Sequence, residues 1–354
     1  MQDIEIYGNS IKGNNFVESI KKKPFLFSLV ISYTETCEIP GITVAGADLD
    51  SIKFTPPADA EYLHYGNCKC IKGIPMTPDG KPTPAILTKS ALEIASIPHL
   101  VINAGSKIIP DIPYVETGLN FGKNIRDESG LDRYYVLRAI EQGRIIGRMF
   151  AALTNCLIIG ESIPGGTTTA MAVLKGFDID AQVSSSIPTN PLELKTKIVS
   201  EALNRSKPND VYDLIANVGD PMIPFIAGMI STATQNCKVI LAGGTQMAAV
   251  LALGHTTSYD QDNIAIGTTS YIINDKSSNF LDTLKEINDV PVLVVNPSLE
   301  NSKIPGLKSY AEGFVKEGAG AGGAMISAIL KTCVSSRTIL EKTEEEYKRI
   351  TTLQ

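Results

Sequence analysis

A glycine- and threonine-rich turn that follows a strand-like apolar run could bind an anion. It spans 160–170 and reads GESIPGGTTTA. Glycines let the backbone approach an anion, hydroxyls add donors, and the positive end of the following helix favours negative charge. The turn therefore predicts a phosphate site, and its candidate substrate-binding residues are Glu161, Gly165, Gly166, Thr167 and Thr168.

Two further turns show the same pattern, in which small residues precede a predicted helix. The stretch 238–254 (KVILAGGTQMAAVLALG) does so after an apolar run, and the stretch 317–330 (EGAGAGGAMISAIL) places a carboxylate before four glycines. Ligands bind at the carboxyl ends of parallel strands, so the three turns could face one crevice. The additional candidates are Gly243, Gly244, Glu317, Gly318 and Gly320, with Gly267 and Thr268 from a GTTS stretch.

The elements that must position these turns alternate along the second half of the chain. Apolar runs at 156–160, 238–242 and 291–296 predict strands, and helical patterns lie between them. A long helix is predicted at 134–153. This alternation predicts an α/β fold with a doubly wound, mostly parallel sheet and helices on both faces. The proline- and glycine-rich stretch 40–84 is expected to form loops and a short hairpin, with a lid over the site as an alternative.

The sequence predicts a helix at each end of the chain, at 9–22 and 338–353, and both lie outside this alternating core. Chain ends often lie close together, so we expect them to form a small helical domain from residues 1–24 and 336–354. Residues 25–335 would then form the large α/β domain. Two independent surface helices are the alternative.

Composition narrows the class of protein. The chain has 354 residues, 43% of them hydrophobic, which is enough to fill a sizeable core. A net charge of −6 gives no basic signal for nucleic acid. The first residues lack the pattern of a signal peptide, and Arg148 and Asn155 interrupt the apolar run at 144–160. We therefore expect a cytoplasmic protein that does not span a membrane.

Several common site types are disfavoured. Cys68 and Cys70 could bind a metal, but no second CxxC and no HxxH accompanies them, so no metal is expected. Gly318, Gly320 and Gly323 satisfy GxGxxG, yet no good strand precedes them and a charged helical tail follows. A Walker GxxxxGK[ST] pattern is absent from the sequence. We expect no nucleotide cofactor.

The order of four motifs resembles the nicotinate-nucleotide:dimethylbenzimidazole phosphoribosyltransferase family, in an archaeal-type branch. These motifs are RAIEQG at 138–143, GESIPGGTTTA at 160–170, AGGTQMAA at 242–249 and KEGAGAGGAM at 316–325. The resemblance implies transfer of the phosphoribosyl group of nicotinate mononucleotide to a benzimidazole or related base, with release of nicotinate and inversion of the anomeric centre. It places the reaction in assembly of the cobalamin nucleotide loop and implies a homodimer.

The resemblance also implies roles for the candidate residues. Glu317 corresponds to the family's general base, which takes the N–H proton of the acceptor as its other ring nitrogen attacks. A helix-capping carboxylate is the alternative for Glu317, because a helix N-terminus lowers a carboxyl pKa while burial raises it. Glu161 would bind ribose hydroxyls or orient its turn. The glycines and threonines would hold the phosphate.

Three departures from the family pattern leave alternatives open. Thr167 stands where the bacterial pattern has asparagine, and 182–188 (QVSSSIP) replaces a glycine and arginine motif, so a positive charge near the substrate is expected to be missing. No residue in 1–137 matches the bacterial acceptor pocket, so the acceptor could be a benzimidazole or a purine base. The remaining alternatives are a nucleotide hydrolase that uses Glu317 to activate water, and a non-catalytic nucleotide-binding protein.

Overall fold

A computed structural model describes residues 3–205 and 207–352. Its eight-stranded sheet has the spatial order β1-β8-β7-β6-β5-β2-β3-β4. The strands are β1 (Ile4–Tyr7), β2 (Phe25–Ile31), β3 (His99–Asn103), β4 (Val115–Glu116), β5 (Cys156–Ser162), β6 (Lys238–Ala242), β7 (Ile264–Thr269) and β8 (Val292–Val295). β1 pairs antiparallel with β8, and the other neighbouring pairs are parallel. The predicted α/β fold with a mostly parallel sheet is confirmed.

The α-helices fill the connections between these strands and form the C-terminal end of the described chain. In chain order they are α1 (Ser10–Ile20), α2 (Thr55–Tyr65), α3 (Ala85–Ile94), α4 (Arg133–Ala151), α5 (Gly166–Gly176), α6 (Leu192–Arg205), α7 (Val211–Val218), α8 (Met222–Ala233), α9 (Thr245–Thr257), α10 (Ser270–Ile273), α11 (Phe280–Ile287), α12 (Pro305–Lys308), α13 (Ala321–Thr332) and α14 (Ser336–Thr352).

Helices cover both faces of the sheet because the buried strands are apolar on both sides. Leu26 and Val30 of β2 point into a core that includes α4, α5, α8 and α9. Phe27 and Leu29 of the same strand point into a second core that includes α1, α3, α13 and α14. Alternate residues of one strand thus belong to opposite layers, as the period of two requires.

The chain changes direction across the sheet between β2 and β5. From β2 it moves outward through β3 to β4, and β5 then returns to the other side of β2, followed outward by β6, β7 and β8. In open α/β sheets such a switch point leaves a crevice at the carboxyl ends of the strands. The predicted turns after β5 and β6 open toward this edge.

Several regions differ from the sequence prediction. Within 40–84 the expectation of loops was wrong at α2, whose first turn contains Pro56 and Pro57; proline is tolerated there because the first N–H groups of a helix need no intrahelical acceptor. The expected short hairpin does form, with Met76 bridged antiparallel to Pro82. The strands β1, β4 and β7 were not predicted.

The proposed division into a large domain and a small domain from both chain ends stays a prediction. β1 belongs to the main sheet, α1 packs with its Phe16 and Val17 against the second core, and α14 packs on α3. Among the described residues, no helix is both long and apolar enough to cross a membrane.

Candidate active site

A cavity opens at the carboxyl edge of the sheet, beside the switch point. The segment 42–46 after β2 and the hairpin 75–84 form one side of it, and the turns after β5 and β6 and before α13 form the other. Seven of the predicted site residues line this cavity: Glu161, Gly165, Gly166, Thr167, Gly244, Glu317 and Gly318. The three predicted turns therefore meet, as parallel strands require.

The other predicted site residues lie behind the cavity wall among the described residues. Thr168 is fully buried, and its hydroxyl has no hydrogen-bond partner within the described chain. The Gly243 N–H donates to the Gly267 carbonyl at 3.0 Å, which joins the turn after β6 to β7. Thr268 reaches Glu317 instead of the open space. Its hydroxyl lies 3.4 Å from Glu317 Oε2.

Two of these glycines are explained by close packing. A Cβ atom on Gly267 would lie 2.7 Å from Ile240 Cγ2 and 3.0 Å from the Gly323 Cα. A Cβ on Gly320 would lie 2.9 Å from the Gly160 Cα, and its φ of 71° also favours glycine. Both positions let α13 approach the sheet closely, which sets the depth at which Glu317 enters the cavity.

Glu317 is held by backbone donors at the start of α13. Its Oε1 accepts from the N–H groups of Gly318 and Gly322, each at 3.2 Å, and its Oε2 accepts from the Thr269 N–H at 3.1 Å. The side chain keeps a partly exposed edge toward the cavity. The carboxylate is thus fixed in orientation while one side stays accessible to a ligand.

Burial and hydrogen bonding have opposing effects on the pKa of Glu317, and these effects do not cancel. Removal of the carboxylate from water raises its pKa to about 7, although the hydrogen bonds from Gly322, Gly318 and Thr269 act to lower it. A carboxyl with a pKa near the working pH can both accept and release a proton. The effect of desolvation on the pKa of Glu317 therefore outweighs that of the donors at the helix N-terminus. Glu317 is suited to act as a base.

Glu161 adds a second titratable carboxyl to the same cavity. Its pKa is raised to about 8, chiefly by burial and in part by the nearby charges of Asp220 and Glu317. Asp220 lies deeper, where it accepts from the Thr169 hydroxyl at 2.5 Å and from the backbone N–H of Met222 at 3.0 Å. Because burial and the neighbouring acids both disfavour its charged form, Glu161 is mostly protonated at neutral pH.

The N-terminus of α5, where the sequence predicts an anion site, lies at the cavity. Gly165 has a φ of 74°, and a Cβ there would lie 2.8 Å from the Cys37 Cβ, so glycine is required. Lys195 of α6 is fully buried, and its Nζ donates to the Thr167 hydroxyl at 3.2 Å and to the Ser184 carbonyl at 3.0 Å. The pKa of Lys195 is lowered to about 7, chiefly by burial and in part by repulsion from Lys316.

Although the sequence predicts that a positive charge near the substrate is missing, lysine side chains do lie at this cavity. Lys316 lines the cavity, and its Nζ lies 2.9 Å from the Ser185 carbonyl and 3.1 Å from Asp275 Oδ2. Burial opposes the charge on Asp275, yet hydrogen bonds from Ser184 and Ser277 and the Lys316 charge lower its pKa overall. The stretch 182–188 thus carries no arginine but holds two buried lysines against its carbonyl groups.

A third carboxylate, Asp59 of α2, lines the cavity on the side of the hairpin. Its two oxygens accept from the hydroxyls of Thr83 and Ser162, each at 2.7 Å. Burial raises its pKa to about 6, although these two hydrogen bonds act to lower it. Asp59 thereby links α2, the hairpin and the end of β5 at the cavity wall.

The described residues hold no group of three or more histidine, cysteine or acidic side chains placed for a metal ion. Cys68 donates to the Ala58 carbonyl at 3.3 Å, and burial raises the pKa of both Cys68 and Cys70.

Sequence reasoning missed Asp59, Lys195, Lys316 and Asp275. Lys316 directly precedes Glu317 in a motif that was singled out, so its position was a usable signal. Lys195 lies on the buried side of α6, whereas Lys197 of the same helix is exposed. The only sequence signal for this is the position of Lys195 three and four residues before the apolar Ile198 and Val199. Asp59 lay in a stretch that was expected to be loop.

The sequence itself decides the family. Residues 95–271, half of the chain, match the sequence model of a phosphoribosyltransferase family. A UPF0284 protein from Archaeoglobus fulgidus is 44% identical over 340 residues, which cover 96% of this chain and 98% of that protein. The chain belongs to this phosphoribosyltransferase family. The predicted membership in the nicotinate-nucleotide:dimethylbenzimidazole phosphoribosyltransferase family is thus confirmed.

Other similar proteins cover most of the chain. A UPF0284 protein from Sulfurisphaera tokodaii is 47% identical over 330 residues, 92% of this chain and 94% of that protein. The crystal structure of CobT from Thermus thermophilus superposes with a TM-score of 0.60 at 15% identity, over 89% of this chain and 83% of that one. At that identity, the likeness shows a shared fold.

Proposed function

We propose that this phosphoribosyltransferase transfers the phosphoribosyl group of nicotinate mononucleotide to a benzimidazole-type base, with Glu317 as the general base. The observation that carries the proposal is the meeting of a carboxyl of pKa about 7 with a helix N-terminus backed by a buried lysine, in one cavity. The first can accept a proton at neutral pH, and the second can bind a phosphate.

The phosphate end of the mononucleotide would lie at the first turn of α5. Gly165 and Gly166 line the cavity at this turn, Thr167 adds a hydroxyl, and Lys195 lies directly behind that hydroxyl. A phosphate dianion at this place would favour the protonated form of Lys195, because opposite charges stabilise each other in a desolvated site.

The reaction needs little help for the leaving group. Nicotinate attached to ribose is a cationic pyridinium and departs as a neutral ring, so the anomeric carbon develops positive charge without acid assistance. The acceptor presents the harder step, since its attacking ring nitrogen gains positive charge as the bond forms. Glu317 would remove the proton from the other ring nitrogen, which leaves a neutral product base and a protonated carboxyl.

Glu161, at the end of β5, would bind the hydroxyls of the ribose. In its protonated form the carboxyl donates one hydrogen bond and still accepts another, and ribose hydroxyls can do both. Its high pKa, about 8, keeps it protonated when Glu317 is ionised. The two carboxyls are thus set apart in protonation state by their surroundings, as acid and base pairs in enzymes often are.

The acceptor would enter between the segment 42–46 and the hairpin. Ile42, Val44, Pro75 and Met76 give this side an apolar character suited to a planar ring. Asp59 adds a carboxylate on this side, and a base that carries an amino group could donate to it. The acceptor is therefore a benzimidazole or a purine base, in the setting of cobalamin nucleotide-loop assembly. A cytoplasmic location stays a prediction.

The test is release of nicotinate from nicotinate mononucleotide, followed by chromatography with dimethylbenzimidazole, with adenine or with no acceptor. The proposal predicts release that depends on an acceptor, with a new riboside phosphate as product. Release without acceptor would indicate a hydrolase in which Glu317 activates water. Binding of the mononucleotide without release under any condition would indicate a non-catalytic nucleotide-binding protein.

A further inference from the structure

A second cavity lies beside the candidate active site, on the side of the segment 42–46 and the hairpin. It has a volume of about 520 Å³, and residues within 46–55 and 71–76 line it. Sites for small ligands commonly have volumes of roughly 300–1,000 Å³. The residues that line both cavities are Gly46, Thr55, Pro75 and Met76. The partition between the two spaces is therefore one residue thick.

The second cavity is mainly apolar. Its large apolar side chains are Phe54, Ile71, Ile74 and Met76. The Ser51 hydroxyl, which also lines it, is already engaged, because it donates to the Asp48 carbonyl at 2.8 Å. Lys72 is the charged member of the lining, and its side chain is exposed. The interior thus suits an uncharged, apolar group.

Hydrogen bonds within its own walls hold this cavity open. The carboxylate of Asp48 accepts from the Ser51 N–H at 2.8 Å, which closes the turn at 48–51. On the other wall, Glu61 of α2 accepts from the N–H groups of Cys70 and Asp111 at 2.8 and 2.9 Å. Both walls are therefore ordered by polar contacts that lie away from the apolar lining.

The proposed reaction sets the direction in which an acceptor points. Its imidazole edge must meet Glu317, which lies on the side of the cavity formed by the glycine-rich turns. The opposite edge of a planar base then faces the segment 42–46 and the hairpin, where Gly46 and Met76 separate the two cavities. Gly46 adds no side chain to the partition, and methionine is unbranched and adapts its shape readily.

We infer that the second cavity receives the far end of an extended acceptor, as a separate compartment of the acceptor site. The class of ligand is a fused-ring azole that carries an uncharged aromatic ring beyond the edge occupied by the methyl groups of dimethylbenzimidazole. The inference rests on the proposed function for the orientation of the base.

The test uses linear naphthimidazole, in which a third ring is fused at the edge opposite the imidazole. With nicotinate mononucleotide saturating, the wild-type protein should use it with a kcat/KM within about tenfold of that for dimethylbenzimidazole, because the additional ring has a place to bind. Ile71→Trp enlarges a side chain that lines the second cavity alone. It should lower kcat/KM for naphthimidazole by about tenfold or more and leave that for dimethylbenzimidazole within about threefold of wild type.

Ile11→Trp is the matched control, because Ile11 of α1 is strongly exposed and lines neither cavity. It should leave both values unchanged. Ala47→Phe, at an exposed position that lines the second cavity alone, should act in the same direction as Ile71→Trp and gives an independent variant. Circular dichroism and thermal unfolding separate a filled cavity from a loss of fold.

Isothermal titration of naphthimidazole makes the test independent of turnover. Ile71→Trp should weaken its binding by about tenfold, and Ile11→Trp should not. Absence of transfer to any base, with this difference in binding present, would overturn the proposed reaction and leave the second cavity as a ligand site. Transfer to dimethylbenzimidazole with more than tenfold discrimination against naphthimidazole would overturn the inference alone. So would folded Ile71→Trp and Ala47→Phe variants that treat both bases as the wild-type protein does.

Discussion

The Lys195 ammonium group lies 3.2 Å from the Thr167 hydroxyl, so a fully buried cation reaches the first turn of α5 from behind. The turn combines backbone N–H groups, a hydroxyl and a lysine whose pKa burial has lowered to about 7. A lysine with such a pKa is readily neutral in the free protein, and it takes up a proton when an anion binds.

Replacement of Lys195 should weaken binding of the mononucleotide. We expect Lys195→Met to raise the dissociation constant by about 10- to 100-fold, because one charge-assisted contact to the phosphate is lost. Isothermal titration measures this directly. Lys197→Met, on the exposed side of the same helix, is the control and should bind as wild type. Equal binding by both variants would remove Lys195 from the phosphate site.

Binding should also move a proton at Lys195. Above pH 7 the free enzyme holds this lysine mostly neutral, and the phosphate should return its charge, so binding at pH 8 takes up about one proton. Titrations in two buffers with different heats of ionisation would reveal the uptake. The Lys195→Met variant should show none of it.

Replacement of Glu317 should separate binding from turnover. We expect Glu317→Gln to lower kcat by about 100- to 10,000-fold while the dissociation constant of the mononucleotide stays within a few-fold of wild type. In the wild-type protein, kcat should rise with pH through about 7, because the base must be ionised. Glu312→Gln, at an exposed position, is the control. Unchanged turnover in Glu317→Gln would show that another group takes the proton.

Gly322 should be intolerant of any side chain. A Cβ there would lie 2.4 Å from the Thr268 carbonyl carbon and 2.7 Å from Glu317 Oε2. Gly322→Ala should therefore lower the free energy of unfolding by about 1–3 kcal/mol and reduce turnover by displacing the carboxylate. Gly244→Ala is the contrast for stability, because its nearest new neighbours are Ile272 side-chain atoms at 3.5 Å or more. Equal stability of the two variants in urea would contradict the close packing at Gly322.

Glu161 should make the protein less stable as the pH rises. Its folded pKa of about 8 exceeds the unfolded value, so the native state binds the extra proton between about pH 5 and 8, and ionisation in this range costs stability. Glu161→Gln should be more stable than wild type by about 1–3 kcal/mol at pH 8, with a smaller gain at pH 5. Urea unfolding at both pH values measures the difference. A gain that does not depend on pH would show that ionisation of Glu161 is not its cause.

The sequence predicted the sheet and the meeting of the turns because both follow from local patterns. Glu161 follows an apolar run that could only be a buried strand, and Glu317 precedes a glycine-rich helix start. Parallel strands then bring the two to one edge. The hydrogen-bond partners of these two carboxyls could not be predicted in the same way. The backbone N–H of Thr269, which donates to Glu317, lies on β7, a strand that was not predicted.

What the sequence did not reveal depends on contacts between distant segments. Lys195 contacts Ser184 and Thr167, which are distant in sequence, and its spacing from Ile198 and Val199 is the only local signal that it is buried. Asp59 lies on a helix that begins with two prolines, which favoured a loop prediction. The strand β1 pairs with β8 across almost the whole chain, so its partner could not be read from residues 4–7 alone.

The most direct test of the central claim is the configuration of the product. Purified protein, β-nicotinate mononucleotide and dimethylbenzimidazole would be followed by proton and phosphorus NMR. The account predicts that free nicotinate and the α-configured riboside phosphate of the base appear together, in equal amounts and with inversion at the anomeric carbon. Ribose 5-phosphate in place of the riboside, or a product of retained configuration, would contradict direct transfer to the base.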